Sequence, residues 1–153
     1  MQSILKLSLL SIIFLFTGCF TPKPDAMKRE VSNFRLPKLP SNGNAMVYIV
    51  RPEGLGNMIK FNVFVDNKKA QSEQGYTNGK QYIYFPVSVG KHLIISKAKN
   101  WATLSIYPKA NDIIFIEQKP KASFPLPMNS LIKLPNYEGK YHVKHLQLGT
   151  ILK

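Results

Sequence analysis

The sequence predicts a mainly β domain: a small antiparallel β-sandwich or partly open barrel with a short C-terminal helix. Three observations support this. Short runs rich in β-branched and aromatic residues recur between Ala45 and Gln118; Gly, Pro, Asn and Asp separate them; and no long stretch carries the 3.6-residue apolar period of a helix. Strands this short and closely spaced bury one face each, so they close over a shared core.

The chain begins in a different style. Met1–Lys6 is short with one positive charge, Leu7–Phe16 is apolar apart from Ser8 and Ser11, and Gly18 precedes Cys19, the single cysteine. Those regions in that order read as an export signal. The apolar part falls short of the roughly 20 residues that cross a bilayer, and a lone cysteine forms no intrachain disulfide. Phe16-Thr17-Gly18-Cys19 resembles the lipobox of bacterial lipoproteins, with Phe16 where that pattern usually has Leu. The resemblance implies that residues 1–18 are a signal peptide and that Cys19 becomes the lipidated N terminus. Two or three acyl chains would anchor it durably, since each buried CH₂ contributes about 0.8 kcal/mol. By the same resemblance, Phe20 after the cysteine implies an outer-membrane location, facing the periplasm or the cell surface. An ordinary cleaved signal or an uncleaved anchor is the alternative.

Residues 19–44 combine Pro22, Pro24, Pro37 and Pro40 with several lysines and arginines and show no sustained period. They are expected to be a tether spacing the domain from the lipid, with a short helix over Ala26–Phe34 as the alternative. The β-rich domain is expected over residues 45–148, leaving 149–153 as a tail.

Within the domain, six runs read as strands: Ala45–Arg51, Ile59–Asp66, Gln81–Val87, Lys91–Ala98, Thr103–Tyr107 and Asp112–Gln118. Ile59–Asp66 alternates, so Ile59, Phe61, Val63 and Val65 should face a core, with Phe64 the exception. Ile113–Ile116 is apolar on both faces and should lie between layers. Asn78-Gly79 suits a tight hairpin. A short helix opens near Pro135, with Asn136 as its N-cap and Gly139 as a weakening residue.

"AMVYIVRP" (Ala45–Pro52), "VFVDNK" (Val63–Lys68), "YIYF", "VGKH" (Val89–His92) and "LIKLPNYEGK" together resemble DUF2846, a family of bacterial envelope proteins of undetermined function. The resemblance spans about residues 45–146. It implies a lipoprotein and assigns no functional residue.

Catalysis by paired carboxylates, a triad or a metal needs convergent titratable groups. The chain has only 8 acidic residues, so no catalytic residue, metal or cofactor is expected. His142 and His145 are three apart and would share a helix face, but a zinc site needs three or four ligands. His92 reads as a strand residue beside a turn. Trp101 is either a surface platform or a strand-edge residue closing the core, the second being the commoner use of a large aromatic. A small envelope hydrolase or metal-binding protein is the alternative function. It would require three of His92, Asp112, Glu117, Glu138, His142 and His145 to converge in one pocket.

The formal charge is +13, from 21 basic and 8 acidic residues, and the excess concentrates in residues 91–144. Export argues against nucleic acid as the partner. Anionic lipid, lipopolysaccharide or an acidic protein fits an envelope location better. All the basic residues except Arg29, Arg35 and Arg51 are lysines, which lack the bidentate fork of Arg; solvation of strand edges is the competing explanation. The expected function is therefore a lipid-anchored envelope protein with a basic β domain as a binding or structural module.

Overall fold

A computed structural model describes residues 21–153; the expected signal peptide (1–18) and Cys19 lie outside the described residues. The strands are β1 (Ala45–Arg51), β2 (Phe61–Val65), β3 (Glu73–Thr77), β4 (Gln81–Val87), β5 (His92–Lys97), β6 (Trp101–Ile106), β7 (Ile113–Lys121), β8 (Met128–Leu134), β9 (Gln147–Leu148) and β10 (Thr150–Ile151). Helix α1 is Pro24–Glu30 and helix α2 is Asn136–His145. One sheet runs β8-β7-β1-β4-β9 and the other β10-β3-β2-β5-β6. Pairing is antiparallel except for β1 with β7 and β4 with β9. Neither sheet closes on itself, so the fold is sandwich-like.

Between the sheets, Val47, Ile49, Ile83, Phe85, Ile114 and Ile116 meet Val63, Ile94 and Ile106. The reverse face of the first sheet is covered too: Met46, Tyr48, Val50 and Phe115, with Leu134 of β8 beside them in the same sheet, pack under Leu36 and Val143. β1 and β7 thus lie between two apolar layers, which is why their sequences are apolar on both faces. In β2, Phe61 and Val63 face the core as alternation requires, but the register with β3 shifts between Val63 and Phe64. The extra residue is Gln74 of β3, so β2 itself keeps its alternation and Phe64 is buried on the face opposite Val63, against Trp101.

Four expectations differ from the structure. The first concerns the tether. From Pro24 onward residues 19–44 are not a free spacer, because α1 docks on α2 and buries Met27, with Val31 and Leu36 buried just beyond. The Tyr48 hydroxyl clamps Lys38, donating to its carbonyl at 2.5 Å and accepting from its amide at 2.9 Å. The apolar residues among the prolines supply the energy that the proline pattern alone concealed. Second, Asn78-Gly79 does not close a hairpin: β3 and β4 belong to different sheets, and the turn carries the chain across, with Lys80 in the left-handed region at φ 59°.

Third, α2 is capped by Pro135, without a side-chain cap bond, rather than by Asn136. Gly139 is buried in α2 because a Cβ there would collide with the Phe115 ring, so its role is close approach to β7. Fourth, the described residues hold ten strands where six runs of the sequence read as strands. β9 and β10 are short additions to sheet edges, and they bring part of the expected tail into the fold.

Candidate functional site

Where β1 ends, the buried Arg51 organises the loop that follows. Its guanidinium points between the sheets and donates to the carbonyls of Leu55 (2.9 Å), Gly56 (2.8 Å), Ile59 (2.7 Å) and Thr77 (3.3 Å). The group lies 3.6 Å from the centre of the Phe61 ring. Burial pushes its pKa down to about 10, which still leaves it charged at neutral pH.

The loop so fixed forms one wall of a cleft of about 520 Å³. Strand alternation builds the floor. Gln118 turns into the sandwich, where it accepts from Thr77 Oγ1 and donates to Ser96 Oγ, so Glu117 and Lys119 turn the opposite way, towards α2. Glu138 and His142, four apart on α2, complete the cleft with Glu53 and Lys80. Glu53 lies 3.8 Å from Lys119, and Glu138 lies 4.0 Å from His142.

Glu117 is 8 % exposed. Its carboxyl makes no hydrogen bond or ion pair among the described residues. Burial raises its pKa, Lys119 opposes that, and Glu53 and Glu138 raise it further. Burial, and after it His145, lowers the pKa of His142. Among the described residues, no three His, Cys, Asp or Glu side chains come together in a way that would hold a metal ion.

Of the six residues whose convergence would favour an enzyme, Glu117, Glu138 and His142 meet in this cleft. The others do not. Asp112 closes a turn by accepting from the Lys109 amide at 2.8 Å. His145 diverges from His142 and bonds Glu30 at 2.5 Å, where Lys144 joins it at 3.2 Å. That triplet ties α1 to α2 and holds the Glu30 carboxyl below its ordinary pKa, through His145 first and Lys144 second. The cleft residues come from four separate elements, so no local spacing in the sequence foreshadows the group.

His92 has an arrangement that no local sequence signal shows. Its Nδ1 lies 2.8 Å from Asp66 Oδ2 and its Nε2 lies 3.0 Å from Ser88 Oγ, the order of a hydrolytic triad. The same Nε2 lies 3.1 Å from the Ser88 carbonyl. A carbonyl only accepts, so that contact needs hydrogen on Nε2, whereas a base towards Ser88 needs a lone pair there. Asp66 also accepts from the Leu93 amide at 2.9 Å. The geometry is that of a staple between the turn after β2 and the turn that leads into β5.

Trp101, on the edge strand β6, covers Phe64 at 5.7 Å, with the Lys68 and Lys97 ammoniums 4.6 and 5.3 Å from its ring centre. It closes the sheet, and lysines cover it from outside.

The cleft end of the domain is also apolar at its tips. Met58 and Phe124 are 88 % and 91 % exposed, with Leu55 and Leu126 about half so. The two loops that carry them touch, since a Cβ on Gly56 would collide with Pro127. Lys99 reaches the second loop, donating to Ser123 Oγ (2.9 Å) and to the Phe124 carbonyl (2.5 Å). Thr21, the first described residue, lines the cleft beside Leu55.

An uncharacterized protein of Haemophilus influenzae is 23% identical over 150 residues, covering 97% of this chain and 86% of that protein. No family model matches the chain. No solved structure matches it.

Proposed function

We propose that this chain is a lipid-anchored envelope protein of the kind the DUF2846 resemblance implies, with its β domain held cleft-end against the bilayer as a binding module. The observation that carries the reading is the position of Thr21. It follows the lipobox cysteine by two residues, which is at most about 7 Å of backbone, and it lies at the end that exposes Leu55, Met58, Phe124 and Leu126. Because α1 is docked, little free chain separates the anchor from the fold. Lys99, Lys119 and Lys121 flank the apolar tips and suit an anionic lipid or lipopolysaccharide surface. Aromatic and aliphatic tips rimmed by lysine match the two layers of a membrane interface.

The test uses the full chain with Cys19→Ala, unlipidated, and vesicles of neutral or anionic composition at low and high salt. Binding is expected to prefer anionic vesicles, to weaken with salt and to fall at least threefold in Phe124→Ser. Equal recovery on both vesicle types, unaffected by salt or by Phe124→Ser, overturns the reading. Labelled fatty acid should enter the unsubstituted chain and be absent after Cys19→Ala.

A second reading, a small envelope hydrolase, is favoured by the convergence of Glu117, Glu138 and His142. Binding is preferred because exposed apolar tips flank the cleft, whereas, among the described residues, no Ser or Thr hydroxyl hydrogen-bonds His142 as a side-chain nucleophile would.

A further inference from the structure

Carboxylates are rarely nine-tenths buried without a partner. Glu117 is 8 % exposed as a residue, and its carboxyl, without a protein partner among the described residues, opens into the cleft rather than into the core. Its neighbours make the situation worse. Glu53 and Glu138 approach from the loop after β1 and from α2, while Lys119 is engaged with Glu53. A missing positive charge is the simplest description of the cleft.

We propose that the cleft binds a small ligand through a protonated primary amine, with Glu117 as the principal acceptor. An ammonium presents three donors in separate directions, so Glu117 can accept one of them while Glu53 and Glu138, across the same cleft, add negative charge without having to meet at one point. A guanidinium would need a carboxylate aligned in its own plane. The ligand set argues against a divalent cation, because the acids and His142 do not converge at ligating distance. Leu55 and Pro52 supply an apolar wall for a short carbon stem, and Lys80 stands at the cleft as a partner for an acidic group on the same ligand. The groups facing Glu117 are Glu53, Lys80, Lys119, Glu138 and His142. The raised pKa of Glu117 agrees with a carboxyl awaiting a cation: the ammonium would favour the ionised form and release a proton on binding.

Two sources would supply this chemistry, a soluble amine or the aminoethyl headgroup of a lipid at the nearby membrane surface. The proposal does not rest on the membrane reading, and its primary test needs no bilayer contact.

The experiment is calorimetric titration of the full chain in detergent micelles with n-butylamine. n-Butanol serves as the uncharged control, and butyltrimethylammonium as the control that keeps the charge and removes the N–H donors. Butylamine is expected to saturate in the millimolar range, with each control at least tenfold weaker. Glu117→Gln should lose at least tenfold in affinity while raising the thermal midpoint of the protein, since a buried unpaired acid has been replaced by a neutral isostere. A structural role for Glu117 predicts the opposite midpoint shift. Should Glu117→Gln fail to fold, Glu138→Gln in the same titration is expected to lower affinity severalfold.

Equal binding of butanol or of the trimethyl cation overturns the proposal, as does unchanged affinity in Glu117→Gln, or in Glu138→Gln where that variant stands in. No saturation with butylamine by 50-fold above the expected range overturns it too. A parallel comparison of vesicles carrying aminoethyl or trimethylated headgroups separates the sources. Preference for the aminoethyl vesicles assigns the site to lipid, and indifference together with butylamine binding assigns it to a soluble amine.

Discussion

Replacing Arg51 by Met is expected to loosen the cleft wall and lower stability by about 3 to 4 kcal/mol. Three of its hydrogen bonds, to Leu55, Gly56 and Ile59, are no longer than 2.9 Å. Each such bond from a charged donor contributes roughly 1.5–3 kcal/mol net. Leu55 is half exposed, so water replaces part of what its carbonyl loses. The stack on Phe61 adds about 1 kcal/mol. These bond energies are already net of desolvation, the cause that lowers the guanidinium pKa from 12.5 to about 10. With Leu55 left out and the other two bonds at the low end, the loss is about 3 to 4 kcal/mol, which for a domain of this size lowers the thermal midpoint by about 10 °C. Arg51→Lys should recover less than half, because one ammonium cannot reach carbonyls on both sides or stack flat on the ring. Circular dichroism melts of the unlipidated chain measure both. A midpoint within about 1 °C of the parent in Arg51→Met, or full recovery in Arg51→Lys, would refute the argument that guanidinium geometry holds the loop.

Two further outcomes are expected. Glu30 is held below its ordinary pKa by His145 and Lys144, so its contribution is present above about pH 4.5 and disappears as pH falls through the lower folded value. Limited proteolysis should therefore cut within residues 21–36 faster in strong acid, and Glu30→Ala should show the fast cleavage already at pH 7; equal rates would detach α1 docking from this carboxylate. At His92, a fluorophosphonate probe should leave Ser88 unlabelled, while His92→Ala should lower the thermal midpoint more than Ser88→Ala; labelling at Ser88 would turn the staple into a nucleophile.

What could be read in the sequence follows the range of the forces involved. β1 and β4 have the bounds that their β-branched and aromatic runs suggest. The apolar double-faced β7 lies between layers as its composition requires. β3 carries Glu73, Gln74 and Gly75, so its pattern is too polar and too interrupted to suggest a strand, and it forms because β2 and β10 pair with it from both sides. The Asn78-Gly79 turn was locally plausible as a hairpin, but sheet membership is decided by partners far along the chain. Gly139 looked like a defect in a helix; its reason is Phe115, more than twenty positions away. The cleft shows the same limit. Glu117 is one acid in an apolar run, and only the placement of α2 against β7 reveals that it faces Glu138 and His142.

The docking of α1 changes what an anchor at Cys19 would do. A free tether of some two dozen residues would let the domain sample orientations over tens of ångströms, and the lysines would then bias that sampling only within the screening length of about 8 Å. With Met27, Val31 and Leu36 buried and Glu30 bonded to α2, the chain is committed to the fold from α1 onward. The lipid would then act at one defined point on the surface. An anchor at that point turns exposed side chains such as Phe124 and Met58 from diffusing surface into a face at high effective concentration near the bilayer, so contacts too weak to recruit the domain suffice to orient it. The orientation in turn sets what the cleft can meet, because its mouth, beside Thr21 and Leu55, would open at the lipid surface.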